Sequence, residues 1–150
     1  MQLIVFIGLQ GCGKSTFYHR KFADTHLRIN LDMLKTRHRE QLLFDACLVA
    51  KQPVVIDNTN PTPDERARYI APAKAQGFEV IGYYFQSRLE ECRRRNAERP
   101  EDRAVPLFGL LGTYKRLSLP VRGEGFDQLY YVKIDDAGQF EIEEWTDEIR

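Results

Sequence analysis

A chain of 150 residues has room for one domain with a genuine core, burying about 70% of its unfolded surface, and no room for a second catalytic domain. Its 22 Lys and Arg balance 22 Asp and Glu, so no global field draws it to nucleic acid or membrane, and an anionic partner has to be held by local clusters. No apolar run approaches the ~20 residues of a membrane span, no signal-peptide pattern precedes the first apolar run, and the three cysteines, Cys12, Cys47 and Cys92, are odd in number and lack metal-type spacing. These features predict a soluble, cytoplasmic protein without a disulfide framework, a zinc site or a membrane partner.

The first predicted strand, Leu3 to Ile7, runs into Gly8-Leu9-Gln10-Gly11-Cys12-Gly13-Lys14-Ser15, and a helical pattern follows. This matches the phosphate-binding P-loop at every fixed position and in the required strand-to-helix setting. Gly8, Gly11, Cys12, Gly13, Lys14, Ser15 and Thr16 form the predicted nucleotide-binding set. The glycines let successive N–H groups surround an anion at a helix N-terminus, Lys14 reaches the β- and γ-phosphates, and the Ser15 hydroxyl ligates Mg²⁺. ATP and Mg²⁺ are therefore the expected cofactors. Cys12 reads as a small filler of the loop.

Further strands are predicted at Leu27 to Asn30, Pro53 to Asp57 and Glu79 to Phe85, alternating with helical patterns, which argues for a parallel sheet between helices. In the helix from Arg39 to Lys51, Leu42, Ala46 and Val49, with Leu43 and Cys47 alongside, form the predicted core-facing stripe. Two Ser/Thr-x-x-Glu capping boxes, Thr62 to Glu65 and Ser87 to Glu90, mark helix starts. The second helix carries Arg93-Arg94-Arg95 and ends before Pro100. Near the end, Gln128 to Ile134 and Gln139 to Glu144 flank a turn and read as a strand and an edge strand, with Trp145 packing beside them.

Ligands bind outside the carboxyl ends of strands in such sheets, which directs attention to Asp32, Asp57, Asn58 and Thr59. Asp32 fits two roles, general base for an attacking hydroxyl or helix N-cap. Asp57 ends an apolar run where a Walker-B carboxylate would hold Mg²⁺, and Asn58 and Thr59 either touch substrate or supply turn chemistry. Arg95 and Arg99 lie one turn apart, as either a solvated face or a mobile lid over approximately 88–106 that brings guanidinium groups to transferring phosphates. Lys35, Arg37, His38 and Arg39 form a second basic group, open between an acceptor phosphate and solvent.

In order along the chain, Ile29-Asn30-Leu31-Asp32, Asp57-Asn58-Thr59-Asn60, Pro63-Asp64-Glu65-Arg66, Arg95-Asn96-Ala97-Glu98-Arg99 and Ala104-Val105-Pro106 leading to Tyr114-Lys115 resemble the kinase domain of the phage-type 5′-hydroxyl polynucleotide kinases. The resemblance extends to about Leu119. It implies one three-layer α/β P-loop kinase domain over residues 1–150, with a mainly parallel sheet and an arginine-bearing lid, that transfers the γ-phosphate of ATP to 5′-hydroxyl ends of DNA or RNA. It further implies catalysis by Asp32, Lys14, Arg95 and Arg99, metal at Ser15 and Asp57, and acceptor contacts from Lys35, Asn58 and Thr59. Lys35 is a departure, since the family usually has an arginine three residues after the base, and lysine offers a point charge where arginine offers a fork. The phosphatase and ligase modules of such enzymes do not fit in this chain, so end healing and sealing would fall to separate partners. Two other functions use the same parts: a small-molecule kinase, and a binding module switched by nucleotide.

Overall fold

Apolar side chains on both faces of the predicted strands require a sheet covered on both sides, and the computed structural model, which describes residues 1–147, has that arrangement. In chain order the elements are β1 (Gln2–Ile7), α1 (Lys14–Lys21), β2 (Leu27–Ile29), α2 (Leu31–Leu34), α3 (Arg37–Ala50), β3 (Val54–Ile56), α4 (Pro63–Ala75), β4 (Glu79–Phe85), α5 (Leu89–Ala97), α6 (Leu107–Arg116), a 3₁₀ turn (Arg122–Glu124), β5 (Gln128–Ile134) and β6 (Phe140–Glu144). The six strands lie in the order β2-β3-β1-β4-β5-β6. All neighbours are parallel except β5 and β6, which pair antiparallel at one edge.

The period of two along β1 divides the core. Leu3, Val5 and Ile7 face α3 and α4 through Phe44, Cys47, Tyr69 and Ile70, while Ile4 and Phe6 face α1, α5 and α6 through Phe17, Tyr18, Cys92 and Leu110. This is the predicted three-layer α/β sandwich with a mainly parallel sheet. Trp145 is buried against Tyr84 and Tyr131 beside the antiparallel edge, as predicted.

Local signals mostly act as their chemistry dictates. Thr62 caps α4 by accepting a hydrogen bond from the Glu65 N–H at 3.3 Å, with Pro63 at the opening helical position. Two expectations fail. Ser87 does not cap α5: its hydroxyl donates to the Phe85 carbonyl and accepts from the Leu9 N–H, and Arg88 holds the cap position without a side-chain bond. The α3 stripe is also out of phase. Glu40, Phe44, Cys47 and Leu48 are buried, whereas Leu42, Leu43, Ala46 and Val49 are exposed, Val49 at 82%. Phe44 sets the helix rotation by packing edge-on against Tyr69, which turns the Leu42–Val49 side outward.

Candidate active site

β1 is central and its neighbours β3 and β4 are parallel to it, so the loops leaving the carboxyl ends of β1, β2 and β3 converge. They form a cleft of about 270 Å³ lined by the P-loop residues Gln10, Lys14 and Ser15, by Asp32 and Arg37, by Asp57 to Pro61, and by Arg99. Gly13 sits in the left-handed region at φ 93° where α1 begins, and Gly11 at φ 83° has no room for a side chain, because a Cβ there would lie 2.3 Å from the Cys92 carbonyl oxygen. α5 therefore packs directly on the P-loop. Cys12 and Cys92 are joined there as a disulfide, with Cα atoms 5.1 Å apart, so one bond links the loop to the arginine helix where the cysteine count argued against disulfides. Cys47 is the free and buried third.

Lys14 is buried, and its ammonium folds back onto the carbonyls of Gly8, at 3.0 Å, and Leu9. Burial pushes its pKa down from 10.5 to about 8; Arg99 adds to the depression, while Asp57 and Asp32 oppose it. A phosphate entering the loop supplies the anion that this ammonium lacks. Gln10 donates to the Thr113 hydroxyl, and its Oε1 is a buried side-chain oxygen left without a hydrogen-bond partner among the described residues.

Asp57 is 1% exposed and follows β3. The Ser15 hydroxyl donates to its Oδ2 at 3.0 Å. A hydroxyl and a carboxylate oxygen meeting at one point are the hard donors Mg²⁺ prefers, so the donor set fits that ion. The same two atoms also receive a guanidinium that sequence reasoning missed: Arg28, on β2, donates from Nε to Asp57 Oδ2 at 2.8 Å and from Nη2 to Ser15 Oγ at 2.9 Å.

Asp32 occupies the first turn of α2 and is exposed to the cleft. Capping falls instead to Asn30, whose Oδ1 accepts from the Met33 N–H at 3.0 Å and whose amide donates to the Asp57 carbonyl at 2.6 Å. The Asp32 carboxylate is thereby left to the cleft. Asn58 reaches back from the β3 loop, accepting from the Leu31 N–H at 2.8 Å and donating to Glu40 at 3.0 Å, so the two post-strand loops are stitched together. Thr59 lines the cleft, and its carbonyl accepts from the Gly8 N–H.

The basic group after Asp32 separates into unlike parts. Lys35 ends α2 at φ 76°, is exposed and lies outside the cleft lining; Arg39 turns to the Leu34 carbonyl. Arg37 lines the cleft. Its Nη1 donates to Glu40 Oε1 at 2.9 Å and to the Tyr69 hydroxyl at 3.0 Å, while Tyr69 itself donates to Glu40 at 2.7 Å. Glu40 is 2% exposed, and burial together with its carboxylate pushes the Tyr69 hydroxyl up to about 12. A buried, fully engaged carboxylate thus fixes a half-exposed guanidinium at the cleft wall. The only sequence signal for this was the Arg37–Glu40 helical spacing, which is common on solvated helices.

Of the predicted lid pair, Arg99 lines the cleft and Arg95, partly buried on α5, does not. Thr16 is exposed on α1. Arg66, from the motif after β3, is fully buried: it grips Glu124 with Nε and Nη2 and the Asn60 and Ser118 carbonyls with Nη1, which makes it a structural clamp behind the site.

A loop of P-loop sequence at the end of the central strand β1, in a three-layer α/β sandwich with a mainly parallel sheet, defines a P-loop domain whose fold matches that of P-loop kinases. The structure superposes on Kti12 of Chaetomium thermophilum in complex with ADP-AlF3, with a TM-score of 0.67, 19% identity and coverage of 91% of this chain and 92% of that one. It superposes on a gluconokinase of Sinorhizobium meliloti with a TM-score of 0.62 and 19% identity, covering 88% and 82%. Residues 3–110 match the AAA domain family model, and the chain belongs to that family. It is 29% identical over 129 residues to the bifunctional polynucleotide phosphatase/kinase of Schizosaccharomyces pombe, covering 83% of this chain and spanning about a third (32%) of the length of that relative. Among the described residues, no helix is long and apolar enough to cross a membrane.

Proposed function

We propose that this domain transfers the γ-phosphate of ATP to the 5′-hydroxyl end of DNA or RNA, residues 1–150 acting as one unit. The observation that carries this reading is the pairing, within one cleft, of a P-loop lysine with an uncapped Asp32 and an anchored Arg37. The 29% identity to a bifunctional polynucleotide phosphatase/kinase supports the choice of acceptor.

In this mechanism the backbone of Gly8 to Ser15, with Thr16 behind it, receives the nucleotide phosphates, and Lys14 leaves its carbonyl partners for the β- and γ-oxygens. Ser15 and Asp57 would hold Mg²⁺, which when bound neutralises part of the phosphate charge. Asn58 and Thr59 position the acceptor beside Asp32. The Asp32 carboxylate takes the hydroxyl proton as that oxygen bonds the γ-phosphorus, and the bond from phosphorus to the β,γ-bridging oxygen breaks to release ADP. Arg99 meets the charge spreading on the transferred group, and Arg95, on the helix that the Cys12–Cys92 bond ties to the P-loop, joins it by a change in its own side-chain rotamer. Arg37, in place of Lys35, offers a fork to the acceptor's first phosphodiester.

Replacing Asp32 with Asn keeps the size of the side chain and removes its basicity. Turnover with a 5′-hydroxyl oligonucleotide should fall by about 10²–10⁴ while ATP affinity stays within about twofold. Turnover near that of the unmodified protein would remove Asp32 from the role of base.

A further inference from the structure

Arg28 is the candidate that the mechanism leaves unused. It lies on edge strand β2, yet its guanidinium reaches past β2 to the two side chains that fit a divalent cation: Nε is 2.8 Å from Asp57 Oδ2 and Nη2 is 2.9 Å from Ser15 Oγ, which are themselves 3.0 Å apart. Asp57 is almost wholly buried, and a buried carboxylate needs a cation or several donors nearby. Arg28 supplies both: one positive charge and a planar pair of donors matched to the carboxylate–hydroxyl pair. A metal ion drawn to the same two oxygens meets a guanidinium already seated there, and two cations cannot share one carboxylate oxygen and one hydroxyl at contact distance. A resting place for the displaced group exists beside the site, because the Arg28 guanidinium carbon is already 5.8 Å from the centre of the Tyr18 ring, and Tyr18 is fixed by its hydrogen bond to the His26 carbonyl at 2.6 Å.

Resting on the nucleotide and metal roles proposed above, we infer that Arg28 is an internal cation that fills the Ser15–Asp57 site until nucleotide arrives with its divalent ion, which then displaces it towards Tyr18. Arg28 is thus a positioning residue. It keeps Asp57 and Ser15 aligned in the metal-free protein and sets how strongly nucleotide binding depends on the metal. Removing it should weaken nothing that the metal provides; the metal should instead bind without a competitor.

The test is the ratio of a non-hydrolysable ATP analogue's Kd in EDTA to its Kd in Mg²⁺, measured by calorimetry for the unmodified protein and for Arg28→Met. The ratio should rise about five- to tenfold in the variant, the lower part of the usual range for coupling between two bound groups. In parallel, without nucleotide, Mg²⁺ should raise the melting temperature of Arg28→Met more than that of the unmodified protein, because only the variant leaves the Ser15–Asp57 pair without its contacting guanidinium. Arg28→Gln, which keeps a donor and loses the charge, should behave as Arg28→Met does and replaces it if that variant does not fold. An unchanged or smaller ratio, with analogue binding retained, would overturn the displacement and make Arg28 a plain structural partner of Asp57. If the unmodified protein binds the analogue under neither condition, the P-loop role itself fails, and the role of Arg28 fails with it.

Discussion

The buried ammonium of Lys14 leads to a pH dependence that runs opposite to ordinary intuition about alkaline binding buffers. In the free protein Lys14 titrates at about 8, chiefly because of burial, whereas an exposed lysine titrates at 10.5. Bound phosphates favour the charged form, and full restoration of the ordinary value would be worth about 3 kcal/mol as an upper bound. Below pH 8 the charge is present already and affinity is flat. Above pH 8 a proton must be taken up on binding, so affinity should fall roughly tenfold per pH unit, giving about tenfold weaker nucleotide binding at pH 9 than at pH 7. Titration of a fluorescent ATP analogue between pH 7 and 9.5 reads this directly, since the terminal phosphate is mostly ionised at pH 7 and completes its ionisation before Lys14 loses its proton. Lys14→Arg keeps its charge throughout and should give a flat profile. Stability changes the other way: between about pH 8 and 10.5 the unfolded chain holds more protons at this position, so Lys14's contribution to the unfolding free energy rises with pH. A pH 9 to pH 7 Kd ratio below about two in the unmodified protein would refute the buried-lysine argument.

The remaining predictions concern the groups around that lysine. Arg37→Ala should raise the KM for a 5′-hydroxyl oligonucleotide roughly 10–100-fold, the worth of one charge-assisted contact, with the Kd for ATP unchanged, whereas Lys35→Ala should shift either constant by less than about twofold in steady-state assays. Glu40→Gln removes the buried charge and one of the two acceptor oxygens that serve Arg37, Tyr69 and Asn58, and urea unfolding should show a loss of about 1–3 kcal/mol together with an increased acceptor KM. Cys92→Ser should lower the melting temperature of oxidised protein and leave that of fully reduced protein nearly unchanged; with Cys12 and Cys92 separated by 80 positions, chain entropy sets a ceiling of about 4.5 kcal/mol.

All six strands, the P-loop and the positions of Asp32, Asp57, Asn58 and Thr59 after strand ends could be read along the chain, because short apolar runs bounded by turn residues and Gly/Lys/Ser spacing are local signals. What escaped depends on distant partners. Arg28 looks like an ordinary edge-strand arginine until β2, β3 and β1 are set side by side and its reach ends at Asp57 and Ser15. Lys35 occupies the position the family resemblance favours, yet the positive φ that ends α2 leaves it outside the cleft lining and the first turn of α3 brings Arg37 to the wall instead. The α3 stripe was misphased because three aliphatic residues outnumber one phenylalanine in sequence, while in the fold the larger ring and its contact with Tyr69 decide the rotation. The Cys12–Cys92 pairing depends on α5 lying against the P-loop, which no spacing announces.

The most direct test of polynucleotide kinase activity is transfer of label from γ-labelled ATP, with Mg²⁺, to a single-stranded oligonucleotide bearing a 5′-hydroxyl, beside the same oligonucleotide already 5′-phosphorylated. Label on the hydroxyl-ended strand alone is the expected result. No label on DNA or RNA from a protein that binds ATP would contradict the proposed activity and redirect the search to small-molecule hydroxyls.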